Sequence, residues 1–189
     1  MSKRISFILP AYKAKYFYQA ISSILNQTYT DFELVIVNDA SPEDLDTIVS
    51  SFDDSRIRYY KNKENIGGRN LVAQWNKCLE YATGEYVILA SDDDIYFPEY
   101  LSKMSELVDK YPDVNVFRPR VQLIDGNDNV IRVEGYLVEH ISSLEFMYLL
   151  QHRMIYGGIP YYIFKKEALL DIGGFIEFPM AWGSDDATV

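Results

Sequence analysis

Tyr86-Val87-Ile88-Leu89-Ala90, followed at once by Ser91-Asp92-Asp93-Asp94, is the stretch whose reading decides the fold. Five consecutive apolar or aromatic residues without polar alternation describe a strand buried on both faces, which belongs at the centre of a sheet. Helices must then cover both sides, and the flanking sequence supplies them. Upstream, Asn70 to Ala82 has helical spacing and is ended by Gly84. Downstream, Pro98 opens a helix through about Lys110 with Leu101, Met104, Leu107 and Val108 on one face.

The same alternation extends to the N-terminus. Ile5 to Leu9 predicts a strand closed by Pro10, Tyr16 to Asn26 a helix, and Phe32 to Val37 a β-branched second strand. The turn Asn38-Asp39-Ala40-Ser41 precedes Pro42, so a helix is expected there with Ser41 as its N-cap, before a third strand at Ile57 to Tyr60. This β-α-β-α-β-α-β-α order predicts an α/β fold, a mostly parallel central sheet flanked by helices and joined by right-handed crossovers. From Val114 the texture changes. Val114 to Ile124 and Val130 to Val138 flank Asp125-Gly126-Asn127-Asp128-Asn129, which predicts a small antiparallel hairpin in the C-terminal half. Ile141 to Leu150 reads as a helix, Pro160 to Phe164 as a strand, and Lys166 to Ile172 as a short helix stopped by Gly173-Gly174.

The chain of 189 residues is 48% hydrophobic and 15% aromatic, a composition that packs one domain with a full core. With 28 acidic against 18 basic side chains the formal net charge is -10, the wrong sign for neutralising phosphates, so nucleic acid is excluded as a partner class. Cys78 is the single cysteine, which leaves no intrachain disulfide and no thiolate-rich zinc site. Met1-Ser2-Lys3-Arg4 runs directly into the first strand without the apolar stretch of a signal peptide, and no apolar run is long enough to cross a bilayer. The expectation is a cytoplasmic protein, with peripheral association at the inner membrane face left open.

In open α/β sheets, ligands bind outside the carboxyl ends of the strands. Three polar clusters fall at such ends: Pro10-Ala11-Tyr12, Asn38-Asp39-Ala40-Ser41 and Ser91-Asp92-Asp93-Asp94. No glycine-rich G-x-G-x-x-G turn and no P-loop follow the first strand. Like charges as close as Asp92 to Asp94 repel unless a cation or solvent neutralises them, and a divalent metal held by one or two carboxylates together with substrate phosphates answers that need. The competing reading is a solvated turn in which Asp94 helps to cap the Pro98 helix. Asp39 suits either an Asx-type bend or an acceptor for a nucleobase N–H or ribose hydroxyl, and Tyr12 either packing or stacking on a base. Near the C-terminus, Trp182-Gly183-Ser184-Asp185-Asp186 offers a carboxylate suited to general-base work, or else an acidic tail. His140 and His152 lack ligand spacing and read as surface or capping residues.

Taken in order, these segments resemble the inverting family 2 glycosyltransferases of the nucleotide-diphosphosugar transferase (GT-A, Rossmann-like) fold. The series is Ile8-Leu9-Pro10-Ala11-Tyr12, Ala20 to Tyr29, Phe32 to Ser41, Ala82-Thr83-Gly84-Glu85-Tyr86, Asp92-Asp93-Asp94 and Pro98. The run from Ser91 to Pro98 also follows the pattern of the spore-coat members of that family. The resemblance implies one GT-A domain over 1–189, with a nucleotide-binding half at 1–112 and an acceptor-side half at 113–189. It implies that Pro10, Ala11 and Tyr12 line a uridine pocket, that Asp39 bonds the uracil, and that Asp92 approaches the ribose or sugar. Asp93 would bind Mn²⁺ or Mg²⁺, with Asp94 competing for that role, and Asp186 would be the base, with Asp185 second. The family's usual Ala-Arg-Asn is replaced by Gln74-Trp75-Asn76, so the resemblance implies either that Arg69 substitutes as the cation near the nucleotide or that the donor contacts differ. The chain stops at Val189, three residues past Asp186, where the family continues with helices, so a shortened acceptor side is expected.

The implied activity is inverting transfer from a nucleotide sugar, UDP-linked by preference, to a carbohydrate or lipid-linked hydroxyl in polysaccharide or glycoconjugate synthesis. The alternatives are a sugar-phosphate nucleotidyltransferase, which needs a basic glycine-rich loop absent at Pro10-Ala11-Tyr12, and a non-catalytic nucleotide-sugar-binding fragment.

Overall fold

A computed structural model describes residues 4–158 and 161–178. Its centre is a six-stranded sheet in the order β3-β2-β1-β4-β8-β5, built from β1 (Ile5–Ala11), β2 (Phe32–Asn38), β3 (Ile57–Lys61), β4 (Tyr86–Leu89), β5 (Val116–Phe117) and β8 (Ile163–Lys165). The first four strands are parallel, and β8 runs antiparallel to both β4 and β5. The wholly apolar β4 lies inside the sheet, as two-sided burial demands.

Strand alternation sends side chains to two cores. Phe7, Leu9, Leu34, Ile36 and Ile88 pack under α1 (Phe17–Leu25), α2 (Leu45–Ser50) and α4 (Tyr100–Lys110). Ile8, Val35, Val37, Val87 and Leu89 pack under α3 (Leu71–Tyr81), with Leu169 of α6 (Lys166–Asp171) in the same core. The helix α5 (Ser143–Gln151) starts at a capping box, Ser142 with Glu145, and contributes buried Phe146 to that second layer. After α6, Gly173 and Gly174 both take φ of 91°, and their N–H groups close on Leu170 and Leu169 carbonyls.

Two local expectations are corrected. The segment Val114 to Ile124 is not one hairpin arm. Its start, β5, joins the main sheet beside β8, and only β6 (Gln122–Ile124) pairs with β7 (Val130–Val133), with a register shift between Leu123 and Ile124. Pro119 lies between the two pieces and has no N–H to continue a ladder, so the strand divides there. Ser41 is not an N-cap either. The helix begins at Leu45 with Asp44 accepting from the Thr47 N–H at 3.0 Å, while Ser41 Oγ donates to the Tyr12 carbonyl and accepts from Glu43 N–H. Ala40, at φ of 50°, turns the chain so that Ser41 faces the end of β1 instead of the helix.

Gly84 enters β4 through a constriction. A Cβ there would stand 2.7 Å from Ser6 N and 2.8 Å from the Ile5 carbonyl carbon, both backbone atoms. Gly84→Ala is therefore expected to lose about 2 kcal/mol of stability, measured as a lowered urea midpoint at unchanged slope. An unaltered midpoint would mean that β1 and β4 separate at little cost. Among the described residues, no helix is long and apolar enough to cross a membrane.

Candidate functional site

Because β1, β2 and β4 are parallel neighbours, their C-terminal ends bring the three polar clusters to one sheet edge. Strand order reverses between β1 and β4, and a cleft of 550 Å³ opens there. Pro10, Ala11, Tyr12, Asp39, Asp92, Asp93 and Asp94 all line it. The opening is stitched across the reversal: Asp92 Oδ2 accepts from Tyr12 N–H at 2.9 Å and from Lys13 N–H at 2.8 Å. Asp92 thus anchors the end of β1 with the same carboxylate that lines the cleft.

One end of the cleft is organised by Asp39, which is 3% exposed. Its Oδ1 accepts from Asn62 Nδ2 at 2.7 Å and Ile66 N–H at 2.8 Å, and its Oδ2 from Gly67 N–H at 2.7 Å. These donors hold the 62–70 loop over the strand end. A Cβ on Gly67 would lie 2.9 Å from Asp39 Oδ2, so glycine is what allows the loop backbone to approach this closely. Asn62 also donates to buried Gln74, whose neighbour Trp75 lines the cleft and meets Phe175 edge-on. Asn65, Gly67, Gly68, Leu71, Gln74 and Trp75 complete this wall; the sequence reading gives none of the six a role in the site. The sequence signal for the loop part of this wall is the run Asn62 to Gly68, two asparagines and paired glycines just after β3. Arg69 is placed elsewhere. It is outside the cleft lining, exposed, and 3.4 Å from Glu64.

The other end is acidic. Asp93 is exposed and accepts from Ser91 Oγ, while Asp94 is half-buried. Burial, and then the charges of Asp93 and Asp92, push the Asp94 carboxyl up to about 6. Among the described residues no three His, Cys, Asp or Glu side chains converge as a preformed metal cage. Hard carboxylate oxygens in an open cleft, with Asp92 engaged by backbone N–H groups, nevertheless fit an ion of the Mg²⁺ or Mn²⁺ type that draws its remaining ligands from phosphate and water. Asp185 and Asp186 lie outside the described residues. The histidines sit away from the cleft lining, His140 against Tyr111 and His152 stacked on Tyr148.

The glycosyl transferase family 2 model matches residues 6–172. An uncharacterised glycosyltransferase of Rickettsia typhi is 30% identical over 179 residues, covering 90% of this chain and 54% of its own length. Protein CgeD of Bacillus subtilis is 28% identical, over 84% of this chain and 42% of its own length. The chain thus spans about half the length of such relatives. Among solved structures, TarS of Staphylococcus aureus in complex with UDP aligns with a TM-score of 0.77 at 24% identity, over 98% of this chain and 53% of that one. A mannosyltransferase of Pyrobaculum calidifontis in complex with GDP-mannose and Mn²⁺ aligns with a TM-score of 0.65 at 21% identity, over 99% of this chain and 50% of that one. The fold is therefore the GT-A fold, and the chain belongs to glycosyl transferase family 2.

Proposed function

We propose that this chain carries the donor-binding and transfer machinery of a glycosyltransferase that moves a sugar from a nucleoside diphosphate sugar to an acceptor hydroxyl, with inversion. The observation that carries this reading is the two-ended cleft at the strand-order reversal. One end offers a buried, fully oriented carboxylate beside Tyr12 and Trp75, the other three consecutive aspartates. Asp39 is pre-aligned by three donors: Oδ1 takes two of them and is filled, while Oδ2 takes one and keeps acceptor capacity for a base or ribose group. Tyr12, partly exposed at the rim, supplies an aromatic face. A uridine diphosphate sugar is the preferred donor, with its diphosphate toward Asp93 and Asp94.

A divalent ion at Asp93 and Asp94, when bound, neutralises charge developing on the nucleoside diphosphate leaving group. The chain's own contribution is to hold the base, to fix the end of β1 through Asp92, and to bring Asp186, with Asp185 beside it, to the acceptor hydroxyl as base. The acceptor is a carbohydrate or lipid-linked hydroxyl, and the work takes place in the cytoplasm or at the inner membrane face.

The test is calorimetric titration of UDP, GDP, UDP-N-acetylglucosamine and GDP-mannose into the folded protein, with Mn²⁺ and then with EDTA. Metal-dependent binding that favours the uridine pair supports the reading, and the absence of binding by every nucleotide would overturn it. Asp93→Ala is expected to weaken metal-dependent donor binding by at least about tenfold while leaving metal-free nucleotide affinity unchanged. Equal affinities for wild type and variant in Mn²⁺ would place the ion elsewhere.

A further inference from the structure

The strand register brings a fourth group to the same sheet edge. Ile163 of β8 pairs with Ile88 of β4 on one side and with Phe117 of β5 on the other. The chain that leaves β5 at Arg118 therefore emerges level with the end of β4, two strand spacings, about 10 Å, from the strand that delivers Asp92 to Asp94. Between them stands the N-terminal approach to β8, which carries Tyr161. Burial first, and then the charges of Asp94 and Glu134, push the Tyr161 hydroxyl up, with Arg118 acting in the opposite sense, so these charges lie within electrostatic reach of it.

Arg118 has a side chain only 10% exposed, and its pairing is lopsided. Nη2 alone meets Glu134 Oε1 at 3.0 Å, Glu134 Oε2 at 3.1 Å and the Tyr156 carbonyl at 3.1 Å. Glu134 is saturated, since it also accepts from Val121 N–H and Tyr156 N–H. Arg118 Nε and Nη1, by contrast, are buried without a hydrogen-bond partner among the described residues, as is the Tyr156 hydroxyl of the same cluster. Buried donors of a guanidinium are rarely left unmet, and a site built to bond ligand hydroxyls discriminates strongly in their favour. The Glu134 pair largely neutralises the cation, which suits it to a neutral polyhydroxyl group better than to a second phosphate.

We propose that Arg118 is a specificity-determining residue, whose unpartnered N–H groups, buried at the β5 end behind the cleft lining, take hydroxyl oxygens of the sugar moiety when the donor enters. This rests on the glycosyltransferase reading above. It separates two halves of the donor: Asp39 and the acidic cluster serve the nucleotide, and Arg118 serves the sugar.

The experiment compares UDP with UDP-N-acetylglucosamine, and GDP with GDP-mannose, on wild type, Arg118→Gln and Arg118→Lys by calorimetry. Arg118→Gln is expected to keep nucleoside diphosphate affinity within about twofold and to lose about tenfold or more in affinity for the sugar-bearing donor, with partial rescue by lysine. Equal loss for both members of a pair, or no loss for either, overturns the assignment. A merely structural arginine would not split the pair. Should Arg118→Gln fail to fold, arginine-labelled wild type decides by NMR, with Arg118→Lys fixing the peak assignment. The Arg118 Nε–H resonance must then move with the nucleotide sugar and stay in place with the bare nucleotide, and the reverse pattern overturns the proposal. Failure of wild type to bind any nucleotide would instead sink the glycosyltransferase reading on which this rests.

Discussion

Glu33→Ala is expected to lower folding stability by about 3 kcal/mol at neutral pH, a shift of about 10 °C in the thermal midpoint for a domain of this size. Glu33 is 4% exposed and accepts four hydrogen bonds: Ser6 Oγ at 2.6 Å, Thr83 N–H at 2.6 Å, Thr83 Oγ1 at 2.9 Å and Arg58 Nη1 at 2.7 Å. One carboxylate thus ties β1, β2, β3 and the turn into β4 together. Removing it strands buried donors, and that desolvation, more than the partly exposed Arg58 pair, sets the size of the effect. Burial alone would raise its pKa, but the hydrogen bonds from Ser6, Arg58 and Thr83 outweigh burial and hold it below the ordinary carboxylate range. The sign of the pH dependence follows. A carboxyl depressed in the folded state stabilises fully above its unfolded value, about 4.3, and loses that contribution as pH falls through the folded value. Denaturation midpoints of wild type and Glu33→Ala should therefore keep their full separation at neutral pH and draw together as pH falls below about 4.3 and through the folded value. Curves that stay parallel across that range would show that Glu33 does not carry the linkage.

Much of this fold was legible because its signals are local. The apolar body of Tyr86 to Leu89 states two-sided burial by itself, and the helix faces of α1, α3 and α4 repeat every three or four residues. The division at Pro119 was equally local, yet it was outweighed by the strong turn at 125–129, which made one long hairpin the simpler reading. At the site, the acidic cluster and Asp39 were legible from their places after strands. What was not legible is the company Asp39 keeps. Its donors come from Asn62, Ile66 and Gly67, more than twenty residues away, and nothing in the spacing of those residues announces that they close on a carboxylate. Arg118 is a similar case. Its importance comes from register across β4, β8 and β5, two antiparallel pairings that no periodicity in the chain encodes.

The separation of donor grip from chemistry leads to the sharpest kinetic expectation. In the proposed reading Asp39 and the 92–94 cluster hold nucleotide and phosphate, in a cleft built by the ends of β1, β2 and β4 and by the 62–70 loop. The proposed base, Asp186, belongs to a different stretch of chain, more than ninety residues further on. A group that removes the acceptor proton only as the new bond forms stabilises the transition state and not the donor complex. Asp186→Ala is therefore expected to lower kcat for transfer by about 10²–10⁴-fold and to leave UDP affinity unchanged within error. Asp185→Ala should have the smaller kinetic effect. Stopped-time assays of sugar transfer from UDP-N-acetylglucosamine and GDP-mannose, alongside UDP titration of each variant, read the two quantities separately. A large kinetic loss in Asp185→Ala with normal turnover in Asp186→Ala would exchange the two roles. Parallel loss of UDP binding in Asp186→Ala would remove it from the chemistry and make it part of the donor pocket. The anomeric configuration of the product gives the independent check, since a single displacement assisted by a base inverts it. A retained configuration in the wild-type product would require a second carboxylate acting as nucleophile, and the base assignment would fall with it.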